Sequence, residues 1–315
     1  MNPEFSNEKI AVLAGGPSCE KEISLRSGRN VMEALRSRGF SPLWVEVDSA
    51  DGLLGTLRRE KVTLAFIALH GTFGEDGTVQ RLLEKEGILY TGPGPLASER
   101  AFDKAQSQTL FKNAGIRVPE FEVYGDISRV PDKPSLPFPL VVKPARAGSS
   151  VGVTIVSRAP DLRKAAEEAF RYSDAILAER FIPGRELTVG VLGEQALPVV
   201  EVVVQREFYD YEAKYGDTGT RYEVPARLSE KEARTVVEES LKAHRTLGCE
   251  MMSRVDLMLA PDGKVYVLEV NTIPGLTSKS LLPKAAREAG IDFPELCVRI
   301  LAMALARKRM APTHG

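Results

Sequence analysis

The chain has 315 residues, 43% of them hydrophobic and 27% charged, a balance that fits a globular enzyme built from two or three units around a shared cleft. Its formal net charge of -1 leaves no electrostatic footprint for nucleic acid or an anionic membrane, and no apolar run approaches bilayer-spanning length. Cys19, Cys249 and Cys297 lack metal-ligand spacing, and His70, His244 and His314 are scattered, which argues against a zinc centre or a Ser-His-Asp triad. With no hydrophobic targeting segment ahead of Ile10, a reduced cytoplasm is the expected location.

Residues 10–14 form a short apolar run that ends in Gly15-Gly16, and 24–39 then carry helical spacing through Val31 and Leu35 to a glycine stop. Residues 43–47, 64–69 and 88–90 read as further strands with helices between them. That alternation predicts a parallel sheet covered on both faces. In such sheets ligands bind beyond the carboxyl ends of the strands, where Gly15-Gly16, His70-Gly71 and Gly92-Pro93-Gly94 fall. One helix carrying Lys104 is expected over 98–114, stopped by Gly115.

The pattern then changes. Strands are expected at 120–124, 140–143, 153–156 and 176–181 with one helix near 162–170, a small α+β unit whose proline-rich stretch 131–139 is a surface connection. Beyond it come strands at 187–192 and 198–204, a polar loop over 209–225, a helix over 229–247 and a hairpin over 252–271. A terminal helix over 293–307 docks through Leu296, Ile300, Met303 and Ala304. It is given no chemistry.

The hairpin is the most informative segment. Strand alternation puts Arg254, Asp256 and Met258 on one face and Val255, Leu257 and Leu259 on the other. Leu268 and Val270 likewise oppose Glu269 and Asn271. The Ala260-Pro261-Asp262-Gly263 turn closes the ribbon so that Asp256 lies nearly opposite Glu269. Facing carboxylates repel unless a cation or proton lies between them. Oxygen ligands with no His or Cys beside them suit Mg²⁺, which completes its shell with water and substrate phosphates. A plain exposed hairpin is the bland alternative, and the apolar opposite face, which already supplies the core, ranks it second.

Lys143 ends an apolar strand and leads into Ala145-Arg146-Ala147-Gly148-Ser149-Ser150-Val151-Gly152, whose small residues let backbone N–H groups approach a polyphosphate. This is no Walker A loop, and Gly15-Gly16-Pro17 is no dinucleotide fingerprint. A lysine at the end of an apolar strand requires an anion, and a phosphate satisfies it. Residues 178–182, with Glu186 beyond them, read as an edge strand offering backbone groups to adenine and a carboxylate to ribose.

Taken together, Gly15 to Leu25, His70-Gly71-Thr72-Phe73-Gly74-Glu75-Asp76-Gly77, Tyr90-Thr91-Gly92, Lys143 to Gly152, Phe208-Tyr209-Asp210-Tyr211-Glu212-Ala213-Lys214-Tyr215 and Arg254 to Ser280 resemble the D-alanine-D-alanine ligase family of the ATP-grasp superfamily. The resemblance runs from about residue 9 to 299. It implies an α/β and α+β ATP-grasp architecture: an N-terminal Rossmann-like domain (1–103), a central subdomain (104–186) and a C-terminal metal-binding and catalytic domain (187–315). It implies ATP contacts from Lys104, Lys143, Ser149, Ser150, Glu179, Arg180, Ile182, Glu186, Phe208 and Lys214. Asp256, Glu269 and Asn271 would hold two Mg²⁺ ions, with Mn²⁺ able to substitute.

By the same resemblance, Glu20 binds the ammonium of a first D-alanine and forms a hydrogen-bonded set with Ser149 and Tyr215. Arg254 and the Gly275 N–H face the oxyanion, while His70, Ser280 and Leu281 face a second D-alanine. A homodimer is the family expectation. Departures from the commoner pattern are Arg81 after Gln80, Ala147 before Gly148, Arg180 beside the adenine, and Lys279; Lys279 bears most on the second amino-acid subsite, and Arg81 on packing behind His70. Ligation to D-lactate or D-serine, and a non-catalytic ATP-binding paralogue, are the alternatives. The loop around Lys214 and Tyr215 and the intact acidic residues favour the dipeptide reading over both.

Overall fold

The computed structural model describes residues 5–203 and 220–310. Among them the strands fall into three sheets. The first is parallel, with β1 (Ile10–Gly15), β2 (Leu43–Val47), β3 (Leu64–Ile67) and β4 (Leu89–Tyr90) in the order β2-β1-β3-β4. Every residue of β1 and β3 is buried, as parallel strands covered on both faces require. The helices α1 (Lys21–Ser37), α2 (Ala50–Arg59), α3 (Thr78–Lys85) and α4 (Pro95–Phe102) follow in chain order. Helix α1 sits so close to the sheet that a Cβ on Gly28 would stand 2.5 Å from the Cβ of Ala14 and 2.9 Å from the Trp44 ring. A glycine costs about 1 kcal/mol inside a helix, and here close approach requires it.

The single helix expected over 98–114 is two. Asp103 takes an extended conformation between α4 and α5 (Lys104–Asn113), and its carboxylate accepts from the Gln106 N–H at 3.0 Å. An Asp cap of this kind restarts a helix, and the break sets Lys104 at the first position of α5.

The second sheet is antiparallel: β5 (Phe121–Tyr124), β6 (Leu140–Pro144), β7 (Thr154–Val156) and β8 (Ile176–Arg180), ordered β5-β8-β6-β7. Helix α6 (Ala159–Phe170) packs Leu162, Ala165, Ala166 and Ala169 against Val142, Val156 and Ile176. The run 178–182 does not belong to an edge strand, since β8 is bonded on both sides by β5 and β6.

The third sheet holds β9 (Arg185–Leu192), β10 (Gln195–Ala196), β11 (Val200–Val203), β12 (Arg221–Glu223), β13 (Met252–Leu259) and β14 (Val265–Asn271), ordered β12-β11-β9-β13-β14 with β10 on β9. The polar loop expected over 209–225 therefore contains a strand, β12, where Tyr222 pairs with Val202. Helix α7 (Glu230–Leu247) opens with a Ser229–Glu232 capping box and ends on Gly248 in the left-handed conformation.

In the hairpin, Arg254 pairs with Asn271 and Asp256 with Glu269, but Leu257 pairs with Val267. Leu268 is thus the extra residue of a β-bulge, which corrects the simple alternation. Val265, Val267 and Val270 share the apolar core with Val255, Leu257 and Leu259, while Leu268 joins Glu269 on the wall of a cavity. A bulge shifts the parity of every residue beyond it.

Helices α8 (Leu281–Glu288) and α9 (Phe293–Met310) complete the described chain. Leu296, Ile300, Leu301 and Ala304 of α9 lie in one core with Val31 and Leu35 of α1 and with the first sheet. Arg307 fastens the far end, donating to the Gly92 carbonyl at 2.6 Å and lying 4.8 Å above the Tyr90 ring.

Candidate active site

Two cavities, of about 470 and 440 Å³, share the side chains of Lys104, Ser149, Glu186, Asp256 and Glu269. The first lies between α1, the loop after β3 and the loop after β14, and its lining includes Glu20, His70, Arg254, Asn271, Gly275, Ser280 and Leu281. The second lies between the second and third sheets, with Lys143, Ser150, Glu179, Arg180 and Ile182 on its walls. Phe208, Lys214 and Tyr215 lie outside the described residues.

Glu20, just ahead of α1, is buried, and its carboxylate accepts a hydrogen bond from Ser149, 129 residues away. Two glycines make room for it. A Cβ on Gly148 would stand 2.4 Å from Glu20 Oε2, and one on Gly71 2.7 Å from the same atom. Ser149 and Ser150 both take positive φ, 53° and 57°. Left-handed backbone costs roughly 1–2 kcal/mol at a residue with a Cβ, and here it turns the loop between β6 and β7 across the junction of the cavities. Lys104 ties that loop down: its backbone N–H donates to Ala145 at 2.9 Å, its Nζ donates to the Ala147 carbonyl at 2.6 Å, and the same ammonium lies 3.4 Å from Glu269.

The Lys143 ammonium is buried 2.6 Å from Glu179, which also accepts from Gln108. The anion that the sequence required is thus present within the protein, on the neighbouring strand, where residue spacing alone gave no reason to look. Arg254 forks onto Asp256 at 2.9 and 2.7 Å, and Thr188 donates to the same carboxylate at 2.6 Å. Thr188 and Gln108 escaped the sequence reading, because each meets its partner on another element; Glu75, quoted there only within the His70 to Gly77 stretch, was given no role.

Asn271 Oδ1 is buried and has no hydrogen-bond partner among the described residues. A buried carbonyl oxygen of this kind costs about 1–3 kcal/mol unless a donor or cation meets it. Beside two opposed carboxylates it completes an oxygen donor set of the sort magnesium takes. Among the described residues no group of three or more His, Cys, Asp or Glu gathers as a metal site; this set has two carboxylates and an amide.

His70 lines the first cavity with both ring nitrogens engaged, Nε2 2.9 Å from Ser27 Oγ and Nδ1 3.5 Å from Glu75. Burial pushes the Glu75 carboxyl above its ordinary range, against the opposing hydrogen bond from His70. Ser280 stands just ahead of α8 but its side chain makes no capping bond to it; Oγ instead accepts from the Thr277 N–H at 3.0 Å and lies where a Cβ on Gly275 would come within 2.7 Å. Arg81 pairs at the surface with Glu99, bridging α3 and α4 rather than packing behind His70. Lys279 is exposed on the rim of the first cavity.

Models for the D-ala D-ala ligase N-terminus and C-terminus match residues 52–93 and 110–302. A D-alanine--D-alanine ligase of Citrifermentans bemidjiense is 49% identical over 301 residues, which cover 96% of this chain and 97% of that protein. The chain belongs to the D-alanine-D-alanine ligase family. Another family member, from Anaeromyxobacter sp., is 48% identical over 95% of this chain and 97% of its own length. The crystal structure of the Bacillus anthracis family member complexed with ATP superposes with a TM-score of 0.85 at 34% identity, covering 96% of this chain and 98% of that one. The VanG D-Ala:D-Ser ligase of Enterococcus faecalis is also similar, with a TM-score of 0.79 at 30% identity over 95% and 99% of the two chains. Membership accounts for the ATP-grasp architecture.

Proposed function

We propose that the chain joins two molecules of D-alanine, with cleavage of ATP to ADP and phosphate, to give the dipeptide used in peptidoglycan precursors. The observation that carries this reading is the meeting of two cavities at the opposed pair Asp256 and Glu269. A nucleotide in one and an amino acid in the other bring a γ-phosphate beside a carboxylate. Those two anions approach only when positive charge cancels their repulsion.

We assign that charge to Lys104 and Lys214, with Lys143, already paired with Glu179, adding a donor to the phosphates, and the phosphate contacts also to Ser149 and Ser150. Glu179, Arg180, Ile182, Glu186 and Phe208 are assigned to adenine and ribose. Asp256, Glu269 and Asn271 would hold magnesium, two ions by family expectation with manganese able to substitute; when bound it supplies Lewis-acid neutralisation of the phosphates. In the other cavity Glu20 faces the ammonium of the first D-alanine, Arg254 and the Gly275 N–H face the developing oxyanion, and His70, Ser280 and Leu281 border the second D-alanine.

A carboxylate oxygen of the first D-alanine attacks the γ-phosphorus and ADP leaves. The amine of the second then attacks the acyl carbon, and phosphate leaves from the tetrahedral intermediate. We assign the amine's proton to the Glu20–Ser149–Tyr215 set. The Ser149–Glu20 hydrogen bond supports this by joining the loop after β6 to α1 over the cavity, and closure excludes the water that destroys an acyl phosphate.

We further propose units at 1–103, 104–186 and 187–315, supported by the division of strands among three sheets, although β9 begins two residues before the last boundary, together with a homodimeric state and a cytoplasmic location. No helix among the described residues is long and apolar enough to cross a membrane. Light scattering tests the dimer. The reaction is tested by phosphate release from Mg-ATP with D-alanine, L-alanine, D-serine or D-lactate, alone or paired with D-alanine, with mass spectrometry of the product. Dipeptide from D-alanine alone, with L-alanine inert, is the expected result. Product only from a mixed pair moves the function to a D-serine or D-lactate ligase, and nucleotide binding without product overturns the ligase reading.

A further inference from the structure

Among the described residues, the loop that carries Gly275 has no strand partner of its own between β14 and α8, yet Leu276 at its centre is fully buried. Its backbone is held by α1. The Leu276 N–H donates to Ser27 Oγ at 3.3 Å, and Asn30 Nδ2 donates to the Leu276 carbonyl at 3.1 Å, pairs separated by 249 and 246 residues. These two bonds pin the consecutive peptide planes that meet at the Leu276 Cα. One of those planes joins Leu276 to Gly275, and the other joins it to Thr277.

Ser27 is completely buried, and its Oγ also lies 2.9 Å from His70 Nε2. A hydroxyl carries one proton. Oγ has two acceptor lone pairs besides that proton, so accepting from Leu276 leaves its bond to Nε2 to follow the His70 tautomer; with the ring proton on Nδ1, toward Glu75, Ser27 is the donor to Nε2. All four groups are satisfied by one direction of donation: Leu276 N–H to Ser27, Ser27 to His70, His70 to Glu75. The spacing on α1 is also informative. Ser24, Ser27 and Asn30 recur every three residues and so share one side of the helix. Ser24 is used within the first sheet, accepting from the Gly15 N–H and donating to the Ala68 carbonyl, each at 2.8 Å. Ser27 and Asn30 continue that polar stripe across to the loop after β14.

We propose that Ser27 and Asn30 are positioning residues for the condensation step, fixing the Leu276 backbone and through it the Gly275 N–H and the Thr277–Ser280 turn. They touch no reacting atom. The inference rests on the ligase reading, because it assigns the Gly275 N–H to the oxyanion and Ser280 to the second amino acid. Tolerance in this loop is small, since Gly275 already stands against Ser280 Oγ. A shift of about 1 Å in a positioning element can cost about 10²-fold in rate.

The test uses the full chain with Mg-ATP and D-alanine and compares Ser27→Ala, Ser27→Thr, Asn30→Ala and Asn30→Asp. Ser27→Ala and Asn30→Ala are expected to lower kcat by about tenfold or more and to raise KM for the second D-alanine. KM for ATP and D-alanine-dependent positional isotope exchange in ATP, which reports the phosphoryl step, stay near the wild-type values. Ser27→Thr keeps the hydroxyl and restores activity, whereas Asn30→Asp sets a carboxylate against a carbonyl and is worse than Asn30→Ala. Wild-type kcat and KM in both alanine variants overturn the inference while leaving the ligase reading intact. So does a loss that falls equally on ATP, on isotope exchange and on melting temperature. A wild-type protein that makes no dipeptide overturns the ligase reading and this inference with it.

Discussion

Glu20 owes its place to residues far from it in sequence. Gly71 follows β3, Gly148 precedes Ser149, and both approach the same carboxylate oxygen so closely that neither tolerates a methyl group. Gly148 takes no left-handed backbone, so Gly148→Ala strains nothing except this contact. The expected result is a loss of roughly 100-fold in kcat/KM for D-alanine with little change in melting temperature, measured by phosphate release; wild-type kcat/KM would show that the Glu20 carboxylate has no need of its position. Glu269→Gln should abolish turnover and weaken magnesium binding by titration calorimetry while leaving the fold intact, because it removes one of the two opposed charges. An active Glu269→Gln protein sinks the metal assignment. The identity of these residues was legible in the sequence, Glu269 from strand alternation and Glu20 from resemblance. The crowding around Glu20 was not, since adjacency in a chain says nothing of which glycine meets which carboxylate.

Among the elements, the hairpin shows where periodicity works and where it stops. Alternation and a Pro-Asp-Gly turn bring Asp256 near Glu269, but it is the bulge that sets the two directly opposite, since the register beside the turn would otherwise pair Asp256 with Leu268; the same bulge moves Leu268 to the cavity side. The 98–114 segment teaches the complementary point: helical spacing continues through Asp103, but the aspartate caps the next helix instead of extending the last. Removing that cap with Asp103→Ala should cost about 1 kcal/mol in urea denaturation, and an unchanged midpoint would assign the break to packing alone.

Helix α7 carries a buried histidine, His244, whose Nδ1 lies 2.7 Å from Ser253 Oγ and whose Nε2 has no partner among the described residues. Burial lowers its pKa from 6.5 to about 4. The folded protein therefore refuses a proton that the unfolded chain accepts. This contribution to stability is complete above pH 6.5 and is lost as pH falls toward 4, by roughly 3 kcal/mol at most. Urea midpoints between pH 4.5 and 7 should fall with pH in the wild type and flatten in His244→Leu; equal slopes would remove His244 as the cause.

At the scale of the molecule, the C-terminal helix α9 closes the core of the first sheet, so the beginning and end of the described chain stabilise each other. Ile300→Ala opens a cavity in that shared core and should cost about 2–5 kcal/mol. Amide exchange should accelerate in β1 and β3 as well as in α9. Faster exchange confined to α9 would mean that the helix is docked without supporting the sheet.

The sequence by itself determined the order and type of most elements, the glycine turns at the strand ends, the acidic pair on the hairpin and the family, because periodicity, turn chemistry and contiguous motifs are local properties of a chain. Only the tertiary structure decided that Lys143 is neutralised by Glu179, that Leu268 lines a cavity, that two cavities join at Asp256 and Glu269, and that α1 holds the loop after β14. Each of these depends on groups on different elements, in one case 249 residues apart, and their meeting is fixed by how helices and sheets pack. No pattern of neighbouring side chains records that packing.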